Sequence, residues 1–213
     1  MRPGNGLSIP SVYRGVGVDV DEGVYIPSDD TFMLIDAMGS YGPTLKGSML
    51  EIGTGSGLLS ISMLMANKGI VWPGVATDID PRAVECAQKN AKKNGVELDV
   101  LTGDIFDPVR DRHFDVVAFN PPYLPEPHID GSEGPRATDL DGGPQGHEVM
   151  ARFLEGLPKH LSRGGSGFLV ASSASPTAIG LLERANRLGI VAEQVAVRLF
   201  PFEKLYVYRI TIP

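Results

Sequence analysis

The strongest chemical signal in the sequence is the tetrapeptide Asn120-Pro121-Pro122-Tyr123, which directly follows an apolar run at 114–119. Two prolines stiffen the backbone and exclude the preceding residue from the helical region, so we expect a rigid turn after a strand. In such a turn the side-chain oxygen of Asn120 and the carbonyl of Pro121 can accept both hydrogens of an incoming NH2 group. Tyr123 offers an aromatic face on which a planar amide or base can stack.

These four residues, as a catalytic set, would act by positioning. The nitrogen of an amide or an aromatic amine is a poor nucleophile because its lone pair is delocalised. Holding both hydrogens in fixed acceptors aims that lone pair at an electrophile, so no strong general base is required. The turn therefore predicts group transfer to a planar NH2 nitrogen.

A glycine-rich turn, Gly53-Thr54-Gly55-Ser56-Gly57, follows a shorter apolar run at 48–52. Glycines at this position let the backbone approach a ligand closely and bend sharply into a helix. A nicotinamide-binding fingerprint would need its third glycine where Leu58 stands, and the Gly-Lys-Ser/Thr sequence of a Walker loop is missing. We therefore expect Gly53, Thr54, Gly55 and Gly57 to contact a cofactor that lacks a pyrophosphate.

Three carboxylates, Glu51, Asp78 and Asp104, stand at the ends of successive predicted strands. Ligands of open α/β sheets bind at this edge, where a carboxylate can accept hydrogen bonds from both ribose hydroxyls. We assign that role to Asp78, with Ile79 beside it, and expect Asp104 to accept from an adenine amino group with Ile105 against the ring. Together with the glycine turn, these residues predict a nucleoside cofactor with a cationic methionine tail, S-adenosylmethionine.

Seven strand-like runs alternate with helical segments and must place these motifs at one edge. The runs span 48–52, 74–78, 97–101, 114–119, 165–172, 190–198 and 204–212, and the helical segments lie near 56–67, 81–94, 147–162 and 176–188. Such alternation predicts a parallel sheet with helices on both faces. The last two runs have no helix between them, so the final strand should be antiparallel. The predicted fold is α/β, a Rossmann-like class I methyltransferase with a seven-stranded, mostly parallel sheet.

We expect one domain, 1–213, in which an extension at 1–45 precedes the catalytic core at 46–213. Residues 1–11 are rich in glycine, proline and serine and are expected to be loose. The alternating run 16–20, followed by a turn at 21–23, predicts a short hairpin. Ser28 or Asp29 is expected to cap a helix that runs to about Met38.

The overall composition is that of an ordinary globular chain, with 42% hydrophobic and 21% charged residues and a net charge of −7. An acidic surface repels phosphate backbones, which disfavours a nucleic-acid duplex or a membrane surface as partner. Cys86 is the sole cysteine, so no intramolecular disulfide can form and a reducing, cytoplasmic compartment is expected. With one cysteine, and with histidines that lack ligand spacing, we predict no metal site.

The motifs of this chain resemble those of the HemK-type glutamine N5-methyltransferases. The segment 25–31 is similar to the Tyr-Glu-Pro-Ala-Glu-Asp-Thr sequence of the family's short archaeal and eukaryotic branch, and the resemblance implies that Thr31 touches the methionine end of the cofactor. Residues 141–149 are similar to the family's Gly-Gly-x-x-Gly-Arg-Glu-Val lid. His147 replaces the usual arginine there, and Leu140 stands near a position where a tryptophan is often found.

The resemblance implies methylation of the glutamine in the Gly-Gly-Gln loop of a peptide-chain release factor. It also implies a small zinc-binding activator subunit, and we expect no N-terminal helical domain of the bacterial type. The main alternative is methylation of adenine N6 or guanine N2 in RNA or DNA, because those bases offer the same NH2 geometry. The acidic charge counts against that alternative. A small-molecule acceptor and a binding module without activity are further alternatives.

Overall fold

The computed structural model describes residues 8–71, 73–122, 148–173 and 177–213. Nine strands and five helices are described in this part of the chain. In chain order they are β1 (Ile9–Tyr13), β2 (Val16–Val20), α1 (Asp29–Ser40), β3 (Met49–Ile52), α2 (Leu58–Ala66), β4 (Gly74–Asp78), α3 (Pro81–Lys93), β5 (Leu98–Thr102), β6 (Phe114–Phe119), α4 (Glu148–Gly156), β7 (Leu161–Ser172), α5 (Thr177–Arg187), β8 (Val191–Leu199) and β9 (Lys204–Thr211).

Seven strands form one sheet in the order β5-β4-β3-β6-β7-β9-β8. The pairs from β5 through to β7 are parallel, whereas β9 pairs antiparallel with both β7 and β8. This arrangement confirms the predicted class I methyltransferase fold, including the antiparallel final strand. The strand order reverses beside β3, and ligands of open α/β sheets bind at such a reversal.

Helices cover both faces of the sheet, and the strands between them are buried on both sides. In β7, Phe168 and Val170 belong to the core on the side of α1 and α2, while Leu169 and Ala171 belong to the core on the side of α4 and α5. Strands covered on both faces are apolar throughout rather than alternating. The apolar run 168–171 is typical of such a strand, although β7 begins at Leu161, earlier than the predicted start at 165.

The turn of the N-terminal hairpin lies earlier in the chain than the sequence predicted. β1 and β2 pair antiparallel around Arg14 and Gly15, both of which have positive φ angles. The prediction put the turn at 21–23 and treated 9–11 as loose, because Pro10 and Ser11 are typical of loops. In the structure both lie in β1, which pairs only with β2 within the described residues, and proline is tolerated at a strand edge.

Helix α1 extends slightly beyond its predicted end, and α4 ends earlier than predicted. Ser28 is the N-cap of α1, although its side chain makes no capping hydrogen bond, and the helix ends at Ser40. The predicted helix to 162 was wrong. α4 ends at Gly156, a 3-10 turn follows at Leu157–Lys159, and β7 begins at Leu161. Pro158 lacks the N–H that an α-helix would need there, which explains the early end.

None of the five helices in the described ranges is long and apolar enough to cross a lipid bilayer.

Candidate active site

The carboxyl ends of β3, β4, β5 and β6 surround a cleft of about 620 Å³. A cleft of this size can take a nucleoside-sized ligand. Its lining includes twelve of the predicted site residues: Thr31, Glu51, Gly53, Thr54, Gly55, Asp78, Ile79, Asp104, Ile105, Asn120, Pro121 and Pro122. Residues from four separate strands therefore meet at one place, as the sequence predicted.

Two predicted site residues are not among the cleft lining. Gly57 precedes α2 with a φ angle of 82°, and a Cβ atom there would lie 3.1 Å from the Cβ of Ala87 in α3. This glycine allows close packing of two helices and lies outside the cleft lining, where the sequence had predicted a cofactor contact. Tyr123 lies outside the described residues, as does most of the predicted lid at 141–149.

The glycine turn is held in place by the strand beside it. Gly53 and Gly55 have φ angles of 65° and 53°, which favour glycine. The N–H of Thr54 donates to the carbonyl of Thr77 at 3.1 Å, and the N–H of Gly55 donates to Asp78 Oδ2 at 2.9 Å. Asp78 therefore has a structural role in the turn that the sequence did not reveal.

The Asp78 carboxylate is positioned on both of its oxygens. Oδ2 accepts from Gly55, and Oδ1 accepts from the N–H of Asp80 at 3.0 Å. Each carboxylate oxygen can accept more than one hydrogen bond, so capacity for a diol remains. Burial raises the pKa of Asp78 above its ordinary value, and the backbone donors oppose that rise.

Glu51 is a buried carboxyl group at the end of β3, with 5% of its surface exposed. Its Oε2 accepts from Thr54 Oγ1 at 2.9 Å, from the Ser60 N–H at 3.1 Å and from Ser60 Oγ. Burial raises the pKa of Glu51 to about 7, despite these donors, and the negative charge of Asp78 adds to the rise. A cation bound in the cleft would favour its ionised form.

The far wall of the cleft combines apolar side chains with an ion pair. Ile79 is 70% exposed and Ile105 is buried, and both line the cleft. Asp104 forms an ion pair with Arg152 of α4, which lines the same wall. Sequence reasoning missed Arg152, because nothing in the local pattern relates a residue of α4 to Asp104, 48 positions earlier.

Asn120 directly follows β6, and its buried side-chain oxygen has no hydrogen-bond partner among the residues that the structure describes. Leaving a buried acceptor without a donor costs about 1–3 kcal/mol, so natural proteins rarely retain one without a reason. The Nδ2 atom of the same amide lies 3.5 Å from Thr31 Oγ1. The unsatisfied oxygen belongs to a residue of the cleft wall, and this is the position at which the sequence predicted an acceptor for an NH2 group.

The hydrogen-bond acceptors and apolar side chains of the cleft, taken together, fit S-adenosylmethionine. Carboxylates at 51, 78 and 104 suit the ammonium, the ribose diol and the adenine amino group, and Ile79 and Ile105 supply apolar walls for a purine. The unsatisfied Asn120 oxygen lies beside these residues in the same cleft and suits a hydrogen-bond donor. His160 does not line the cleft. Its ring stacks on the ring of Phe106, with the two centroids 4.3 Å apart, so we assign it a packing role.

We expect Asp78→Ala to weaken cofactor binding by about 1.5–3 kcal/mol, the usual loss when charge-assisted hydrogen bonds are removed. Asp78→Asn should lose less, because its amide oxygen still accepts. Titration calorimetry with S-adenosylmethionine measures both losses. Asp107→Ala removes an exposed carboxylate that forms an ion pair with Arg110 at the surface, and serves as the control. An unchanged affinity in a folded Asp78→Ala protein would mean that the ribose is held elsewhere.

We expect cofactor affinity to rise as the pH increases through about 7, the pKa of Glu51, because the ionised carboxylate attracts the ammonium of the methionine tail. In Glu51→Gln this rise in affinity should disappear. Any change in affinity that comes from titration of the ligand itself is the same for both proteins, so it cancels in the comparison. Calorimetry between pH 5.5 and about 8.5 measures the difference, with the exposed Glu183→Gln as the matched control.

The same variant should change the pH dependence of stability. The folded-state pKa of Glu51 is raised above its ordinary value of 4.5, so the folded protein holds a proton that the unfolded chain releases first. The free energy of unfolding therefore falls as the pH rises from about 4.5 through 7. Glu51→Gln should lose this part of the decline, as measured by urea unfolding at several pH values. A Gln variant with the wild-type pH profile in both assays would contradict the assignment.

Comparisons with known proteins identify the family of the chain. Residues 28–132 match the family model "Methyltransferase small domain". A Methanocaldococcus jannaschii protein named as a protein N5-glutamine methyltransferase is 35% identical over 197 residues, covering 91% of this chain and 94% of the relative. The Aquifex aeolicus release factor glutamine methyltransferase is 36% identical over 155 residues, which cover 68% of this chain and 54% of that protein.

Among solved structures, a chain of the E. cuniculi Mtq2–Trm112 complex superposes with a TM-score of 0.69 and 24% identity, over 90% of this chain and 99% of that one. That complex is responsible for methylation of the eRF1 translation termination factor. At this level of identity the superposition establishes the shared fold.

Proposed function

The chain belongs to the HemK-type family of S-adenosylmethionine-dependent methyltransferases, and from this premise we propose that it methylates the side-chain amide nitrogen of the glutamine in the Gly-Gly-Gln loop of a peptide-chain release factor. The names of the M. jannaschii and A. aeolicus relatives support a glutamine amide as acceptor. The acceptor itself must be argued from the chemistry of the cleft.

The observation that carries the proposal is the unsatisfied, buried oxygen of Asn120. A primary amide carries two coplanar hydrogens on one nitrogen, which matches the Asn120 oxygen together with the backbone carbonyl of Pro121. Glycines on either side of the glutamine would let a narrow, extended loop reach an acceptor at the end of β6. A release factor binds RNA through its own surface, so the acidic enzyme needs no basic groove of its own.

The cofactor would be held by the residues that end β3, β4 and β5. Asp78 would accept from the ribose hydroxyls, Asp104 from the adenine amino group, and Glu51 and Thr31 would contact the methionine end. When bound, S-adenosylmethionine supplies a methyl group on a positively charged sulfur, which is an electrophile. Ile79 and Ile105 would cover the two sides of the purine and exclude water from it.

The protein's part in the chemistry is to hold the glutamine amide in one orientation. Asn120 and Pro121 accept its two hydrogens, so the nitrogen's lone pair points away from them and into the cleft. As positive charge develops on the nitrogen, these two hydrogen bonds become stronger. They therefore stabilise the transition state more than the ground state. In the transfer, the S–C bond of the sulfonium would break as the N–C bond forms, leaving a neutral thioether. The alkylated amide nitrogen would then lose one hydrogen as a proton to solvent, because the cationic product is a strong acid.

Mass spectrometry of a release factor from the same organism, after incubation with enzyme and cofactor, tests the proposal. We expect a gain of one methyl group on the Gly-Gly-Gln glutamine, and none when that glutamine is replaced by alanine. Asn120→Ala should lower turnover by roughly 100-fold or more while leaving cofactor affinity within a few-fold. The matched control is Asn186→Ala, at an exposed position of α5.

Two results would contradict the proposal. Methyl transfer to RNA or DNA with the release factor unmodified would favour the nucleobase alternative, in which the same two acceptors hold an exocyclic amine. Full activity of the folded Asn120→Ala protein would remove the catalytic role of the turn at 120–122.

A small zinc-binding activator subunit is part of the same proposal. The resemblance of the motifs to the short branch of the family supports it, and so does the fold shared with a chain that is solved as a two-protein complex. The described part of the chain also carries exposed apolar side chains that a partner can cover, such as Met65, Val71 and Phe202.

We expect co-expression with the organism's own small zinc-binding subunit to yield a stable complex with greater solubility and higher turnover than the isolated chain. Size-exclusion chromatography with light scattering measures the complex, and the release-factor assay measures turnover. A fully active, monodisperse monomer whose turnover the subunit leaves unchanged would contradict this part of the proposal.

A further inference from the structure

The hydroxyl group of Thr31 lies between the carboxylate of Asp30 and the side-chain amide of Asn120. Thr31 Oγ1 donates to Asp30 Oδ1 at 3.3 Å, and Asn120 Nδ2 lies 3.5 Å from the same hydroxyl oxygen. All three residues line the cleft, and Thr31 and Asp30 are in the first turn of α1. A polar connection therefore runs from the start of α1 to the end of β6.

Asp30 is a fixed acceptor at one end of this connection. It is 2% exposed. Its oxygens accept from the Tyr25 hydroxyl at 2.8 and 2.9 Å, from Ser28 Oγ at 2.9 Å and from the Thr31 N–H at 2.6 Å. Burial, with the charge of Asp30, raises the pKa of Tyr25, so the tyrosine keeps its proton and remains a donor. These contacts hold the carboxylate in one place.

This fixed carboxylate decides what the Thr31 hydroxyl can do. A hydroxyl group has one hydrogen and two lone pairs, and the single hydrogen of Thr31 points at Asp30. Toward Asn120 the hydroxyl can then only accept. An amide nitrogen satisfies that requirement, whereas an amide oxygen in its place would face another acceptor.

We propose that Thr31, held by Asp30, is a positioning residue that fixes the orientation of the Asn120 amide, with Nδ2 toward Thr31 and Oδ1 toward the methyl acceptor. The inference rests on the proposed function for the identity of the acceptor only. A reversed amide would present two N–H hydrogens to an incoming NH2 group, and the two sets of donors would repel. The orientation of Asn120 is therefore a condition for accepting the substrate.

Hydrogen exchange of the Asn120 side-chain amide tests the orientation without substrate or cofactor. The resonances are assigned as the pair that is missing from the spectrum of Asn120→Ala. We expect exchange to be at least about tenfold faster in Thr31→Val, which keeps the shape but loses the acceptor, than in the wild type. Thr31→Ser keeps the hydroxyl and should retain slow exchange. Thr44→Val makes the same chemical change at an exposed threonine whose hydroxyl donates to the Tyr41 carbonyl, and is the control.

Turnover gives the second readout. At saturating cofactor, with the cofactor affinity and melting temperature of each variant measured separately, Thr31→Val should lower kcat by about tenfold or more and Thr31→Ser by less than about threefold. A purely structural role for Thr31 would lower the melting temperature and leave kcat unchanged in the folded fraction.

The outcomes separate this inference from the proposed function. A wild-type enzyme that leaves the glutamine unmodified contradicts the proposed function, while the exchange experiment still tests the orientation. Unchanged exchange in Thr31→Val would overturn the inference. So would a Thr31→Ser protein that is as slow as Thr31→Val, because the hydroxyl group would then not be the feature that matters.

Discussion

The position of β3 in the sheet is the constraint on which the site depends. β3 pairs in parallel with β4 on one side and β6 on the other. The chain leaves β3 toward α2, on one face, while α4, the next α-helix described after β6, packs on the opposite face. Because the helices that follow β3 and β6 in the described part of the chain lie on opposite faces of the sheet, a crevice remains between the carboxyl ends of these two strands. The glycine turn and the Asn-Pro-Pro turn begin at the two sides of this crevice, so their proximity follows from the topology.

The crevice also concentrates negative charge in a partly buried place. Burial raises the pKa of both Glu51 and Asp78, and the negative charge of Asp78 raises the pKa of Glu51 further. An apolar pair in the same positions would fold with less electrostatic penalty. The backbone donors of the glycine turn and the hydroxyls of Thr54 and Ser60 hold this charge in place for a cationic ligand. The site thus trades stability of the free protein for affinity.

Much of the fold was readable from the sequence, because apolar runs of strand length alternate with helical segments. The motifs were readable because each ends a strand, and parallel strands bring their ends together.

Features that depend on contacts between distant parts of the chain could not be predicted from the sequence. Gly57 packs against Ala87 rather than lining the cleft, and Arg152 reaches Asp104 from another element. The hairpin was misplaced because Pro10 and Ser11 carry loop signals although they lie in β1. The orientation of the Asn120 amide depends on Thr31 and Asp30. Thr31 lies 89 positions before Asn120 in the chain, so no local sequence pattern reveals this contact.

The insertion of β9 between β7 and β8 has a consequence for synthesis of the chain. Among the described strands, β8 pairs in the sheet with β9 alone, yet β8 leaves the ribosome first. Until residues 204–211 have emerged, β8 has no partner and β7 has an open edge. During that interval the core on the side of α4 and α5 also lacks Tyr208 and Ile210. Open strand edges and exposed apolar surface are the features that lead nascent chains to aggregate or to bind chaperones. Late synthesis of an interior strand therefore makes this half of the sheet the part of the nascent protein that most needs protection.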